Sequence, residues 1–166
     1  PLGAANKPWF QVLRNTAGDM VKRKDLRLAY HRFLAKFSGN YDKDLNNTFD
    51  FIMSVSEQYG LKSAFYFKAG SSNNQFDENY KLDMSWIQAL LRRINERGYE
   101  VGLHPSYETY RDENKLNSEF QALLQATKRL NIDQEIWGAR QHYLCWENPI
   151  TWQIYEDVGL AYDTTL

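Results

Sequence analysis

The stretch Gly98-Tyr-Glu-Val-Gly-Leu-His104-Pro-Ser-Tyr-Glu-Thr109 indicates the fold more directly than any other part of the chain. A short apolar run follows a glycine and ends at a histidine, as a buried strand would. Residues 61–70 and 137–143 repeat this layout, with Lys-Ser-Ala-Phe-Tyr-Phe in the first and Trp-Gly-Ala-Arg-Gln-His-Tyr in the second. Ligands and chemistry collect just past the carboxyl ends of parallel strands. The three segments therefore predict one functional edge of a sheet.

The order of elements predicts an α/β fold with a mainly parallel sheet. The predicted strands are residues 63–67, 99–103, 136–139 and 160–162, with amphipathic helices between them. Strands that alternate with helices of this length are joined by right-handed crossovers. The predicted helix caps are Asn46 or Asn47, Asp83, and Asn117 or Ser118. No dinucleotide-binding glycine pattern or P-loop occurs, which disfavours nucleotide binding.

The amino-terminal part has a different pattern. Apolar residues at helical spacing over residues 9–37 predict two helices, or one helix broken at Gly18, with an end at Gly39. We therefore expect a helical segment over residues 1–47 and an α/β domain over residues 48–166. The chain does not begin with Met and stops directly after a predicted strand, so we expect a fragment of a longer protein.

Composition narrows the class of protein. A hydrophobic content of 43% and a charged content of 25% are ordinary for a globular domain, and 15% aromatic residues fit either a bulky core or a ring-lined carbohydrate cleft. The net charge of -1 gives no electrostatic case for nucleic acid or an anionic membrane. No apolar run is long enough to span a bilayer, and no signal peptide is visible. The single Cys145 fits a reducing compartment, so we expect a cytoplasmic protein.

Two of the three histidines stand at predicted strand ends. His104 and His142 follow apolar runs, whereas His31 lies in a Lys/Arg-rich helical stretch and is expected at the surface. Imidazole is the commonest metal ligand and the usual acid or base near neutral pH. Glu108, four residues past His104, could share an ion with it or be a surface carboxylate.

Arg140 and Asp163 are the candidate catalytic residues. An arginine directly after a buried strand needs an anionic partner, either in a structural salt bridge or as a group that orients a catalytic carboxylate or binds substrate. Asp163, after the last predicted strand, could be that partner or a helix cap. A serine triad is not supported, because no Ser occupies a G-x-S-x-G elbow.

Taken in order, these motifs resemble those of the NodB-type polysaccharide deacetylases of the carbohydrate esterase 4 superfamily. Residues 59–67 are similar to "G-h-K-A-T-F-F", and residues 98–108 are similar to "G-H-E-I-G-x-H-x-x-x-H". Residues 139–143 and 161–165 stand where the family has "F-R-x-P-x" and "Y-D-S-S". The resemblance covers roughly residues 48–166.

The resemblance implies a distorted (β/α) barrel and a divalent metal, commonly Zn²⁺, that activates water for attack on an N-acetyl group of a sugar or polysaccharide. His104 matches the first metal-binding histidine, and Glu108 stands where the second histidine is expected. His142 replaces a usual proline and is the candidate for the missing ligand. Arg140 matches the arginine that positions the catalytic aspartate, and Asp163 stands in the segment similar to "Y-D-S-S".

The chain also departs from the family pattern. The pair of aspartates that ends the family's first strand has no counterpart, and the late Leu-x-Ile-x-x-His motif would lie beyond Leu166. We therefore expect weak zinc binding and little deacetylation from this chain alone. The alternatives are a non-catalytic carbohydrate-binding domain of the same fold, or a hydrolase that uses Glu100 and Glu108 as paired carboxylates. The second is disfavoured because Glu100 is out of phase with the strand ends.

Overall fold

The computed structural model describes residues 7–39, 41–44, 46–71, 76–77 and 80–165. The chain divides into two compact units, Pro1–Val55 and Ser56–Leu166. This boundary falls inside the helix Phe49–Gln58, whereas the sequence predicted a boundary after residue 47. None of the helices in the described ranges is long and apolar enough to cross a membrane.

The first unit is a helical hairpin. It contains α1 (Trp9–Val21), α2 (Leu26–Ser38), a 3-10 turn (Tyr41–Lys43) and the first part of α3 (Phe49–Gln58). The prediction of two helices is confirmed, whereas the alternative of one helix broken at Gly18 is wrong, because this glycine lies within α1. The chain turns after Val21 instead, and the Asp25 side chain caps α2 by accepting a 2.8 Å hydrogen bond from the Leu28 N–H. Gly39 ends α2 in a left-handed conformation, as predicted.

The second unit confirms the predicted parallel sheet. Its elements are β1 (Ala64–Phe67), α4 (Ser85–Glu96), β2 (Glu100–Leu103), α5 (Glu113–Arg129), β3 (Gly138–Ala139), α6 (Ile150–Val158) and β4 (Tyr162–Asp163). The four strands pair in parallel in the order β1-β2-β3-β4, so each helix connects neighbouring strands. Every observed strand overlaps the strand predicted for it.

Several helices begin at other residues than predicted. The described structure starts α4 at Ser85, after Met84 rather than Asp83, and starts α3 at Phe49. The largest difference is in α5, which is capped by Asp112 instead of Asn117 or Ser118. The Asp112 carboxylate accepts a 3.0 Å hydrogen bond from the Lys115 N–H, which satisfies an N–H at the helix start.

The two faces of the sheet have different chemistry. Phe65, Phe67, Val101 and Leu103 are buried with the apolar sides of the helices, which contribute Ile87, Leu90, Leu91, Ile94, Leu116, Phe120 and Leu123. On the alternate positions, the Tyr162 hydroxyl donates a 2.6 Å hydrogen bond to Glu100. The Tyr66 and Tyr162 rings lie where side chains at Gly102 and Gly138 would stand.

The register of the strands aligns four residues at their carboxyl ends. Phe67 pairs with Leu103, Leu103 with Ala139, and Ala139 with Asp163. The residues that follow are Lys68, His104, Arg140 and Thr164, which we call the strand-end row. The N–H groups of His104, Arg140 and Thr164 each donate to a carbonyl of the preceding strand, at 2.8, 3.0 and 3.0 Å. Hydrogen bonds of the sheet therefore hold three members of the row, while the Lys68 N–H donates a 2.6 Å bond to the Tyr80 hydroxyl.

Candidate functional site

His104 of the strand-end row contacts His142, which follows the row's Arg140 by two residues. The two rings lie perpendicular, with an interplanar angle of 89° and 4.8 Å between centroids. His104 Nε2 lies 2.9 Å from His142 Nδ1. His142 comes from a 3-10 turn (His142–Leu144) directly after β3, in which Tyr143 and Leu144 both have positive φ angles, 54° and 56°. Non-glycine residues adopt this backbone at a cost, and such strain collects at functional sites.

The second nitrogen of His104 is held by the main chain. His104 Nδ1 lies 2.6 Å from the carbonyl oxygen of Arg140. A carbonyl only accepts, so Nδ1 carries the proton and Nε2 presents its lone pair to His142. Burial lowers the pKa of His104 from 6.5 to about 4, the bond to the Arg140 carbonyl opposes that shift, and the charges of His142 and Lys68 add to it. The ring is therefore neutral at neutral pH.

A buried ion pair stands behind His142. Lys68 Nζ lies 3.2 Å from Asp77 Oδ1 and 3.0 Å from His142 Nε2. The side chains of Lys68 and Asp77 are 5% and 0% exposed. Asp77 Oδ1 also accepts a 3.1 Å hydrogen bond from the Tyr107 N–H. The pair therefore connects the end of β1 with two loops, the loop after β1 that contains Asp77 and the loop after β2 that contains Tyr107.

Two proton arrangements fit the histidine pair. The Phe76 carbonyl lies 2.9 Å from His142 Nε2. If it accepts a hydrogen bond from this atom of a neutral His142 ring, both facing nitrogens carry lone pairs, which repel each other unless a proton or a metal ion binds there. If Lys68 instead donates to His142 Nε2, His142 Nδ1–H donates to His104 and His104 Nδ1–H donates to Arg140. The tautomer of His142 thus decides whether the pair is ready to bind a cation.

The other predicted site residues have different contacts. Glu108 forms a 3.1 Å ion pair with Lys115, and both side chains are nearly half exposed. The Arg140 guanidinium donates a 2.7 Å hydrogen bond to the Thr164 carbonyl. Asp163 accepts from the N–H and hydroxyl of Thr165, at 2.7 and 2.5 Å. The structure therefore brings together His104, His142 and the Arg140 main chain, but gives Glu108 and Asp163 local partners.

A buried glutamate fixes the loop that follows His104. Glu119, on α5, accepts a 2.9 Å hydrogen bond from the Ser106 N–H and a second bond from the Ser106 hydroxyl. Burial raises the pKa of Glu119, and the two bonds from Ser106 oppose that rise. Thr109 continues the anchoring by donating a 2.8 Å bond to the Ser106 carbonyl.

The sequence interpretation did not include Lys68 and Asp77. A signal for Lys68 was present, because it follows the apolar run of β1 just as His104 follows β2 and Arg140 follows β3. Asp77 had no such signal, since it lies in a polar loop rich in Asn and Ser.

The donors at this site are two imidazoles. Within the described residues, no group of three or more His, Cys, Asp and Glu side chains stands where it could hold one metal ion. No protein-family model, curated protein or solved structure matches this chain.

Proposed function

We propose that this chain is a deacetylase-type hydrolase domain that uses a divalent metal, such as Zn²⁺, on an N-acetylated sugar or polysaccharide. In this proposal the parallel sheet is part of a distorted (β/α) barrel. The observation that supports it most is the facing pair of His104 and His142 at the carboxyl edge, 2.9 Å apart between ring nitrogens. This is the edge at which barrels and open α/β sheets carry their sites.

The hydrogen-bond partners of the two histidines suit a Zn²⁺ site. A metal-binding histidine usually donates its remote N–H to a carbonyl or carboxylate, which fixes the tautomer. His104 does so to Arg140, and His142 has the Phe76 carbonyl at 2.9 Å and Asp77 at 3.8 Å from Nε2. His104 Nε2 and His142 Nδ1 would then hold the ion. Bound there, Zn²⁺ would lower the pKa of a water molecule and polarise an acyl carbonyl.

The chain's own residues orient and shield this site. The Arg140 carbonyl keeps His104 Nε2 unprotonated, and the turn after β3 presents His142 opposite it. Arg140 extends its guanidinium along the strand-end row to Thr164, where it could also bind an anionic substrate group. Two protein ligands are fewer than the three usual in catalytic zinc sites, so we expect weak metal affinity and slow acetate release.

Zinc titration by calorimetry tests the metal site. We expect the His104→Ala and His142→Ala variants each to weaken Zn²⁺ binding by about tenfold or more, since each removes one of two ligands. His31→Ala is the matched control, because this histidine lies on α2 in the first unit. Equal affinity of all three variants and the unchanged protein would show that the histidine pair is not the site.

Acetate release tests the reaction. Zinc-loaded protein would be incubated with N-acetylated oligosaccharides, and we expect any release to disappear in His104→Ala. Release that persists in that variant would contradict the role of His104.

A second candidate function is a carbohydrate-binding domain without catalysis. Glu108 stands where the resemblance has a second metal-binding histidine, and its ion pair with Lys115 favours this candidate because it engages that carboxylate elsewhere. Oligosaccharide binding with no acetate from zinc-loaded protein would support that candidate.

A further inference from the structure

The first unit contains a cavity of about 840 Å³ whose charged lining is mainly cationic. It is formed by α1 and α2 together with Lys7 and Asn46. Its charged lining consists of Lys7, Arg14, Lys22, Arg23, Arg32 and Asp19. Five cationic side chains therefore face one carboxylate.

Asp19 fixes two of these cations in place. Its carboxylate, only 1% exposed as a residue, accepts from Arg23 Nη1 at 2.8 Å and from Arg32 Nε at 2.7 Å. A guanidinium has five N–H donors, and each of these arginines uses one on Asp19. One carboxylate cannot neutralise two guanidiniums. Asp19 therefore orients both groups and leaves donors and positive charge for another anion.

The remaining cations have no carboxylate of their own in the described part of the chain. Arg14 and Lys22 line the same cavity, and neither forms an ion pair with a described residue. Lys22 follows the last turn of α1, where the helix dipole favours a cation, but Arg14 lies in the middle of that helix. Like charges gathered in one cavity repel each other, so a bound anion would stabilise this unit.

The first unit is basic, although the net charge of the whole chain is -1. Pro1–Val55 contains nine Lys and Arg, five Asp and no Glu, whereas Ser56–Leu166 contains eleven Lys and Arg and sixteen Asp and Glu. The net charge of -1 is the sum of a basic and an acidic unit. The total charge of the chain therefore does not exclude anionic partners for the first unit.

We propose that this cavity binds a phosphate-bearing anion. Guanidinium groups match phosphate oxygens with paired N–H donors, and lysine adds a point charge. Arg32, with a side chain only 12% exposed, supplies the fixed donor, and the exposed Arg14 and Lys22 supply further positive charge. The phosphate could belong to a soluble ester or a lipid headgroup. Phe10 and Phe37 on the same helices are 67% and 74% exposed and could contact lipid chains. This inference does not depend on the hydrolase proposal.

Two double variants with the same change in charge test the cavity. Arg14→Gln/Lys22→Gln removes two cations from its lining, whereas Lys24→Gln/Arg27→Gln removes two neighbouring cations that do not line it. All four side chains are exposed, so both variants should fold, which urea unfolding would verify. Binding of inorganic pyrophosphate would be measured by calorimetry at fixed ionic strength. We expect the lining variant to bind at least about tenfold more weakly and the control variant to bind normally.

Vesicles identify the source of the phosphate. Protein that sediments with phosphatidylglycerol vesicles but not phosphatidylcholine vesicles, and loses this in the lining variant alone, takes the phosphate of a lipid. Pyrophosphate binding without vesicle binding identifies a soluble ester. Equal weakening in both variants, or stronger binding to a single-stranded oligonucleotide in all proteins alike, would show a general attraction to polyanions and overturn the proposal. Absence of binding to both pyrophosphate and vesicles would overturn it as well.

Discussion

Lys68 and Asp77 neutralise each other at a place that water does not reach. Their side chains are 5% and 0% exposed, and Nζ lies 3.2 Å from Oδ1. Removing one member of a buried ion pair leaves the other charge poorly solvated, which costs more than the pair contributes as a whole. The stability of the second unit should therefore depend on whether both members are changed or only one.

We predict that Lys68→Met lowers the free energy of unfolding by about 3–5 kcal/mol, because it removes the ammonium next to a buried carboxylate. The double variant Lys68→Met/Asp77→Asn should recover at least half of this loss, since the amide is neutral and still accepts from Tyr107. Urea unfolding measures both values. A single variant as stable as the unchanged protein would show that the ion pair does not form.

His104 predicts a pH dependence of stability. Its pKa of about 4 lies below the ordinary 6.5, so the unfolded chain binds more protons than the folded chain between these pH values. The stability that this shift contributes is therefore fully present above pH 6.5 and is lost as pH falls toward 4. The shift corresponds to at most about 3 kcal/mol, and we expect about 1–2 kcal/mol because the ring is only half-buried.

Urea unfolding between pH 7 and pH 4 in the presence of EDTA measures this dependence. The His104→Gln variant should lose less stability over that range, and His31→Gln should behave as the unchanged protein. Parallel curves for the unchanged protein and His104→Gln would contradict the low pKa of His104.

The candidate site was predictable only where single residues carry a local signal. His104 and His142 follow apolar runs, and this pattern predicted both at the carboxyl edge of the sheet, where they lie 2.9 Å apart between ring nitrogens. The contact between Lys68 and His142 joins residues 74 positions apart, and no local pattern predicts which loop side chain reaches a strand end. The prediction for Glu108 rests on its spacing from His104 and on its motif position, and neither indicates the ion pair that it forms with Lys115 of α5.

At the scale of elements, Gly138 in β3 lies beneath the ring of Tyr162 in β4. A Cβ at residue 138 would be 2.1 Å from two ring carbons, Cε2 and Cζ. We predict that Gly138→Ala lowers the free energy of unfolding by about 1–3 kcal/mol, the usual cost of overpacking. The same substitution should cost much less in a Tyr162→Val background, where the ring is absent. Equal costs in the two backgrounds, measured by urea unfolding, would contradict this close approach.

Strands were easier to predict from sequence than the starts of helices. Each strand is an apolar run next to a glycine or a polar turn, and its periodicity is local. The helix α5 starts at Glu113 after its cap Asp112, but Glu113, Asn114 and Lys115 are all polar and give no helical pattern before Leu116. Several residues in this region could serve as caps, and hydrogen bonding selects among them only once the chain is folded.

At the scale of the whole molecule, the two compact units should fold separately. The first described helix that contributes to the second unit is α3, which begins at Phe49. We predict that residues 48–166 expressed alone fold cooperatively and bind Zn²⁺ within a factor of about two of the whole chain, as expected for independent parts. Circular dichroism and calorimetry would measure this. A piece that is unfolded would show that the first unit is required.

The strand-end row also bears on how this protein could tolerate changes in chain length. His104 and Arg140 come before their loops, and hydrogen bonds of the sheet hold their N–H groups, whereas the Lys68 N–H donates to the Tyr80 hydroxyl in the loop that follows β1. An insertion in the loop after β2 or β3 should lengthen the connection at small entropic cost and leave the N–H bonds of His104 and Arg140 in place. One extra residue within β2 would instead turn His104 to the opposite face. Loop length can therefore vary among descendants of this chain, whereas strand length cannot.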